Sequence, residues 1–315
     1  MNHTNTVTIV LPCHNESAAL PLVLRDIEET ALIASDLDFH VLVVDDGSSD
    51  MTLSVFKEYR SSAFRKSSIK LLVNQGKEKA VALGIRNAAE TSSQIVVMDS
   101  DGQHVPSFML EMIRAAQESQ RVCIAERTKY KRGARGAFAV LILRTLARIL
   151  GVWYEPSYSE YVVIPRSVSI RLAQSQKLGV VPLLTSLHEI DSVFVVVKND
   201  VGLRHSETNG TRWTTAGLWR KALLQLISDP WKVLPRIATI IFFALLLTAL
   251  YGLFIGLQSI RAGTFLGVGS VIVVIVLLVG ALFVLLVFIV AVSLLSLDIA
   301  SNRTKDVSVE YWTEN

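Results

Sequence analysis

Cysteine is nearly absent from this chain of 315 residues, which carries only Cys13 and Cys123. Two thiols offer no disulfide framework and no cysteine zinc cluster, and they fit a reducing compartment. An excess of one charge sign is also missing. With 31 Lys and Arg against 28 Asp and Glu, the net charge of +3 gives no reason to expect nucleic acid as a partner. Basic residues near a membrane would still favour anionic lipid heads. The opening Met1-Asn2-His3-Thr4-Asn5 lacks the apolar core of a signal peptide, so export of the following domain is not expected. Formal charge is missing altogether from residues 237–257 and 265–297. Each of these apolar stretches is long enough to cross a bilayer. They account for a mean hydropathy of +0.43 and 51% apolar residues, values high for a soluble enzyme.

The two stretches are joined by Gln258-Ser259-Ile260-Arg261-Ala262-Gly263-Thr264, short enough to make them an antiparallel transmembrane hairpin. Lys221, Lys232 and Arg236 precede the first span and Arg303 and Lys305 follow the second, against Arg261 between them. The positive-inside bias then places the N-terminal domain and the tail in the cytoplasm. The alternative is a buried helical hairpin of a soluble domain. Before the spans, Trp213, Trp219 and Trp231 punctuate a mixed apolar and basic segment that suits an amphipathic helix at the membrane interface. The same tryptophans could instead pack against the domain.

The first half of the chain reads differently. Val7–Leu11, His40–Val44, Ile69–Val73 and Ile95–Met98 are short apolar runs, each followed by polar residues. A helical pattern runs through Phe56 and Tyr59, and Lys79–Glu90 is rich in Ala. Strands alternating with helices predict a mostly parallel α/β sheet, whose ligands bind at the carboxyl ends of the strands. The most informative such end is Asp99-Ser100-Asp101-Gly102-Gln103-His104. Carboxylates at i and i+2 can face one hard cation, and a cation so held completes its shell with water and phosphate oxygens. Asp and Gly after a strand also serve plain turn formation.

Four blocks, V-T-I-V-L-P-C-H-N-E, V-L-V-V-D-D-G-S-S-D, N-Q-G-K-E-K-A-V-A-L-G-I and V-V-M-D-S-D-G-Q-H-V-P, stand in one order over residues 7–106. In order and spacing they resemble glycosyltransferase family 2, and within it the membrane-anchored polyprenyl-phosphate (dolichol- or undecaprenyl-phosphate) glycosyltransferases. The resemblance implies a GT-A-like, Rossmann-like domain at 1–205, an amphipathic interface segment at 206–236, two transmembrane helices at about 237–257 and 265–297, and a cytoplasmic tail at 298–315. It implies an integral membrane enzyme, of the bacterial inner membrane, with Mg²⁺ or Mn²⁺ as cofactor. The partners would be a UDP- or GDP-sugar donor, a polyprenyl phosphate acceptor and membrane lipid; a homo-oligomer stays open.

Residue by residue, the resemblance assigns Pro12, Asn15, Glu16, Asp45 and Asp46 to the nucleoside, Gly76 and Lys77 to the donor phosphates, and Asp99, Ser100 and Asp101 to the metal-diphosphate, with Asp101 counted as catalytic. His104 is either a third metal ligand or a turn residue. Ser48, Ser49 and Asp50 also suit turn and helix capping. Arg127 and Arg132, in a basic cluster with Lys129, Lys131 and Arg135, are expected at the acceptor phosphate, and so are Arg204 and Arg212. The chain departs from the family between Glu155 and Arg166, where Glu155 stands in place of an Asp and the expected Gly and Arg are missing. Glu155 is the expected catalytic carboxylate there. A phosphate acceptor scarcely needs a base; for a hydroxyl acceptor Glu155, Glu160, Glu189 and Asp191 all qualify. The reaction implied is inverting transfer from the nucleotide sugar to the lipid phosphate. Two alternatives remain: another lipid or polysaccharide acceptor, since Asn209-Gly210-Thr211-Arg212-Trp213 faintly resembles Q-x-x-R-W, and a catalytically inactive nucleotide-sugar-binding scaffold.

Overall fold

The computed structural model describes residues 5–127, 134–151, 153, 155, 157–179, 182–191, 193–199, 230–261, 275, 277–282, 284–286, 289, 293 and 308–314. Contacts divide the chain into two units. The first comprises Met1–Leu141, Tyr154–Trp219 and Val307–Asn315, and the second Ile142–Trp153 and Arg220–Asp306.

The first unit is built on an eight-stranded sheet. Its strands are β1 (Thr6–Cys13), β2 (Asp38–Asp45), β3 (Phe64–Leu71), β4 (Gln94–Val97), β5 (Cys123–Arg127), β6 (Tyr158–Pro165), β7 (Val195–Asn199) and β8 (Val309–Thr313), in the spatial order β7-β5-β6-β4-β1-β2-β3-β8. β1 pairs in parallel with β2 and β4, and β2 with β3. Strands covered on both faces need apolar side chains on both, and Ile9, Val10, Leu11, Val41, Leu42 and Val43 are all buried. The helices α1 (Leu20–Ile33), α2 (Thr52–Glu58), α3 (Lys77–Ala88) and α4 (Ser107–Ser119) follow the first four strands. α1 and α4 turn Leu20, Val23, Leu24 and Ile27, and Met109, Met112, Ile113 and Ala116, into the core, the spacing of one helical face. α3 lies close on β1 because Gly84 faces Val10, whose Cγ1 would stand 2.4 Å from an added Cβ. Beyond β5 come α5 (Ala134–Leu150), α6 (Arg166–Gln174) and α7 (Leu183–Ile190).

Two features extend the sequence expectation. β3 begins five residues before the expected Ile69. Its polar start was hard to read because Lys66, Ser67 and Ser68 are themselves buried. The Lys66 ammonium donates to the carbonyls of Phe56, Lys57 and Tyr59 at the end of α2, and Ser67 Oγ bonds His40 Nε2 at 2.8 Å. Second, the expected tail at 298–315 contains β8, which returns to the sheet antiparallel to β3. Trp312 meets the Phe56 ring edge-on at 6.2 Å, and Glu314 lies 3.4 Å from Lys66 Nζ.

The second unit contains α8 (Pro230–Arg261). Its Pro235–Arg261 portion has a mean hydropathy of 2.5 and is only 6% buried over its most apolar window. It is the one described helix both long and apolar enough to cross a bilayer; within the second expected span, 265–297, the described residues include a shorter apolar helix, α9 (Leu277–Leu286), and most of the remainder lies outside the described residues. The second half of α5 joins this unit rather than the sheet domain. It leaves Ile142, Leu146 and Ile149 exposed beside Arg144 and Arg148. The expected interface segment at 206–236 lies outside the described residues up to residue 229.

Candidate active site

The polar crown forms where β1 to β4 end. Asn15 takes a left-handed conformation, with φ of 56°, so that its side chain doubles back across the neighbouring loop. Asn15 Oδ1 accepts from the Ser49 amide at 2.9 Å, and the Asn15 amide donates to Ser48 Oγ at 3.0 Å. Asp50 accepts from the Ser17 and Thr52 amides, and Thr52 Oγ1 in turn accepts from the Glu16 amide at 2.8 Å. Burial acts to raise the Asp50 carboxyl, but these hydrogen bonds outweigh it and bring it down to about 2.

Asp45 and Asp46 are buried. Asp45 Oδ1 accepts from the Ser48 amide at 3.0 Å, a turn closure. Asp46 places one oxygen on the Gln75 amide at 2.6 Å and the other on the Gly76 amide at 2.9 Å. The pair expected at the nucleoside therefore also fixes the loops on which β2 and β3 end, and Asp46 presents Gly76 and Lys77 at the start of α3. Pro12 contributes its carbonyl, which accepts from Ser100 Oγ at 2.9 Å and ties the β4 loop to β1. Cys13 beneath it is buried, and burial pushes its thiol up to about 12, so it is a packing residue. His14, unremarked in sequence, holds the β2 loop through Nδ1, 2.9 Å from the Asp46 carbonyl, and meets Asn74 from the β3 loop.

The centre of the crown is a charge cluster. Lys77 Nζ lies 2.5 Å from Asp99 Oδ1 and 2.6 Å from Glu160 Oε2. Burial alone would lower the Lys77 ammonium, but the carboxylates of Asp99 and Glu160 outweigh it and hold it above the usual lysine range. Burial would likewise raise Asp99, but Lys77 outweighs it and keeps that carboxyl below the usual carboxylate range. Asp101 accepts from the Gln103 amide and side chain at 3.0 and 2.8 Å.

His104 is placed as a turn residue. Its Nδ1 lies 2.9 Å from the Asp99 amide nitrogen, and its Nε2 2.9 Å from Ser159 Oγ. A backbone N–H can only donate, so Nδ1 accepts and Nε2 carries the proton that goes to Ser159. Both nitrogens are engaged and the ring is stacked on Tyr161 at 4.9 Å, an arrangement that fits the turn-residue alternative. Among the described residues no cluster of three or more His, Cys, Asp or Glu side chains is arranged around a metal position.

The structure also sorts the candidate carboxylates. Glu155 Oε1 accepts from Ser157 Oγ at 2.8 Å, at the turn entering β6. Glu189 pairs with Lys177 and Asp191 with Arg121, away from the crown. Glu160, not Glu155, is the one joined to Asp99 through Lys77. Arg127 ends β5, while Arg132, Arg204 and Arg212 lie outside the described residues.

Residues 8–159 match the family described as glycosyl transferase family 2. Over these residues, just under half of the chain, the sequence is similar to that family. Its curated relatives include two from Bacillus subtilis strain 168. YkcC, described as an uncharacterized glycosyltransferase, is 31% identical over 124 residues, covering 39% of this chain and 38% of YkcC. CsbB, also described as a glycosyltransferase, is 27% identical over 123 residues, covering 39% of this chain and 36% of CsbB. The match thus spans under two fifths of either relative. Among solved structures, glucosyl-3-phosphoglycerate synthase from Mycobacterium tuberculosis, crystallised with Mn²⁺, UDP and phosphoglyceric acid, is similar with a TM-score of 0.48 and 18% identity, over 73% of this chain and 78% of that one. S. aureus TarS in complex with UDP-GlcNAc is similar with a TM-score of 0.45 and 15% identity, over 70% of this chain and 65% of that one. The match ends at residue 159, within β6, so it includes Asp99 and Asp101 and stops one residue before Glu160.

Proposed function

We propose that this chain is a membrane-anchored, GT-A-like glycosyltransferase that moves a sugar from a UDP- or GDP-sugar to a polyprenyl phosphate, with inversion. The observation that carries the reading is the convergence of Asp45-Asp46, Gly76-Lys77 and Asp99-Ser100-Asp101 on one edge of a family 2 sheet. That edge is where open α/β sheets bind their ligands.

Each part of the site has a chemical task. Asn15, Glu16 and Asp45 would accept hydrogen bonds from the nucleoside, on loops already fixed by Ser48, Ser49 and Thr52. Lys77, at the first position of α3, offers a point charge to the donor phosphates beside a helix N-terminus. Asp99 and Asp101 would provide the carboxylate oxygens that Mg²⁺ and Mn²⁺ take, and the Lys77 ammonium on Asp99 is consistent with a site of negative potential. When bound, the ion would neutralise charge on the departing nucleoside diphosphate. The lipid phosphate is ionised near neutral pH, so its oxygen attacks the anomeric carbon without a general base. As that bond forms, the anomeric carbon–oxygen bond to the nucleotide breaks, with its electron pair leaving on the diphosphate. Arg127, Arg132, Arg204 and Arg212 are the proposed cations for the acceptor phosphate.

Connectivity supports the membrane part. α8 exposes Phe242, Phe243, Leu247, Leu250, Phe254 and Leu257, a surface that water does not favour. β8 belongs to the same sheet as β1, so a chain that crosses a bilayer along α8 must cross it again before Val309. An even number of crossings fits two spans over 237–297 with the family 2 domain in the cytoplasm. The apolar and basic second half of α5 suits a membrane interface.

The test is transfer itself. Purified full-length protein in detergent, Mn²⁺, undecaprenyl phosphate and a panel of radiolabelled UDP- and GDP-sugars should give organic-phase label with one donor. Label on a diacylglycerol or a polymer instead would overturn the acceptor. Donor binding without any transfer would favour an inactive scaffold.

A further inference from the structure

Lys77 stands at an awkward place for a cation. It is the first residue of α3, where the helix already carries partial positive charge. Its ammonium is held there by Asp99 at 2.5 Å and Glu160 at 2.6 Å. The side chains of Lys77, Asp99 and Glu160 are 37%, 27% and 17% exposed, so the three charges are partly shielded from water and act on one another strongly. Asp99 is also one of the two carboxylates assigned to the divalent ion. An ammonium at 2.5 Å from its Oδ1 repels a dication approaching the same carboxylate.

We propose that Lys77 is a built-in competitor for the metal: it occupies Asp99 in the donor-free site and is released when a nucleoside diphosphate offers its charge another partner. Glu160 is the positioning residue. It keeps the ammonium within the crown when it leaves Asp99, so that the lysine exchanges one anion for another rather than swinging into solvent. The inference rests on the nucleotide-sugar reading above. Its consequence is that metal binds weakly to the empty site and tightly once the diphosphate has arrived. Part of that coupling comes from direct chelation of the ion by the diphosphate. The part assigned to Lys77 is the weakness of metal binding before the nucleotide is present.

The experiment separates these parts by titrating full-length protein with Mn²⁺, followed by the loss of the free-ion paramagnetic resonance signal, with and without UDP. Wild type is compared with Lys77→Met and with Lys79→Met, which removes the same charge two residues along the helix, from a side chain bonded to Gln75. Without nucleotide, Lys77→Met should bind Mn²⁺ at least about fivefold more tightly than Lys79→Met, the lower end of ordinary coupling between sites. The enhancement by UDP should shrink by the same factor, because linkage is reciprocal. Adding Glu160→Gln to Lys77→Met restores the wild-type net charge and should retain a clear part of the gain. Equal Mn²⁺ affinity in the Lys77→Met and Lys79→Met proteins, with UDP still binding wild type, overturns the competitor and leaves the functional reading standing. Failure of wild type to bind UDP in saturating Mn²⁺ overturns the functional reading, and the competitor with it.

Discussion

Exchanging His104 for Phe isolates what its two nitrogens do. The aromatic ring can keep its stack on Tyr161, now 4.9 Å between centroids, so packing is largely conserved. Lost are the acceptor for the Asp99 amide and the donor to Ser159 Oγ, each a 2.9 Å contact. A buried donor left without an acceptor costs about 1–3 kcal/mol, and the hydrogen bond lost by the serine about 1 kcal/mol more. The sum, about 2–4 kcal/mol, corresponds to a drop in Tm of roughly 5–15 °C for a domain of this size. His104→Asn is the informative partner, because its amide oxygen can take the place of Nδ1 and should recover about half of the loss. Thermal melts in detergent, read by intrinsic fluorescence, measure both. A Phe variant that melts with wild type, or an Asn variant no better than Phe, refutes the turn role. An Asn variant that melts near wild type but no longer binds Mn²⁺ would return His104 to the metal.

Other expectations follow from single contacts. Gly47→Ala, at φ +68° with a new Cβ 2.7 Å from the Asn74 amide nitrogen, should cost about 2 kcal/mol or more in denaturant melts and weaken UDP binding, because it pushes apart the two loops that Asp46 joins. Trp312→Ala should lower stability by about 2–3 kcal/mol, since β8 loses its edge contact with Phe56 and Lys66 loses a ring face. An unchanged melting temperature would mean that β8 is not part of the folded domain. His40 is brought down to about 4 from an ordinary 6.5, by burial first and Arg65 second, against Asp38. Its folded value is depressed, so the unfolded chain binds the proton first. Stability should be intact above about pH 6.5, fall progressively toward pH 4 by up to about 3 kcal/mol, and change no further below that on this account. His40→Gln should flatten that slope.

The parts of the fold legible in sequence were those where one physical rule acts alone. Val7–Leu11, Val41–Val44 and Ile95–Val97 are largely apolar because both faces of a central strand are covered, and each lies on a strand found in the structure. The start of β3 was illegible because Lys66, Ser67 and Ser68 are buried polar residues with partners supplied by other elements, which no local pattern announces. Val-Glu-Tyr-Trp-Thr looks like any short polar-aromatic end, so nothing local marks β8 as a strand. Its meaning comes from pairing with a strand some 240 residues earlier. Asp45 and Asp46 were recognised, but their structural share was not. One carboxylate can close a turn and face a ligand, and only the positions of the Ser48, Gln75 and Gly76 amides reveal the first task.

The acceptor half shows the same limit at its sharpest. Glu155 is picked out by sequence position alone; it lies at the turn entering β6, where it bonds Ser157. The structure supplies a better ruler. β6 runs antiparallel to β4 with Val97 opposite Val162, and continuing that register two residues past the end of β4 brings Asp99 opposite Glu160. An antiparallel strand inserted beside β4 therefore delivers its early residues to the crown. It delivers them by strand count, not by sequence distance. Ser159, one residue away on the other face, meets His104 instead, as alternation along a strand requires. Both the anchor of the Asp99 turn and the partner of Lys77 thus come from two consecutive residues of one strand. A one-residue insertion between Glu160 and Val162 should disturb His104 and Lys77 together, lowering Tm and altering Mn²⁺ affinity in the same protein. A variant that moved only one of the two would show that the register does not govern the site.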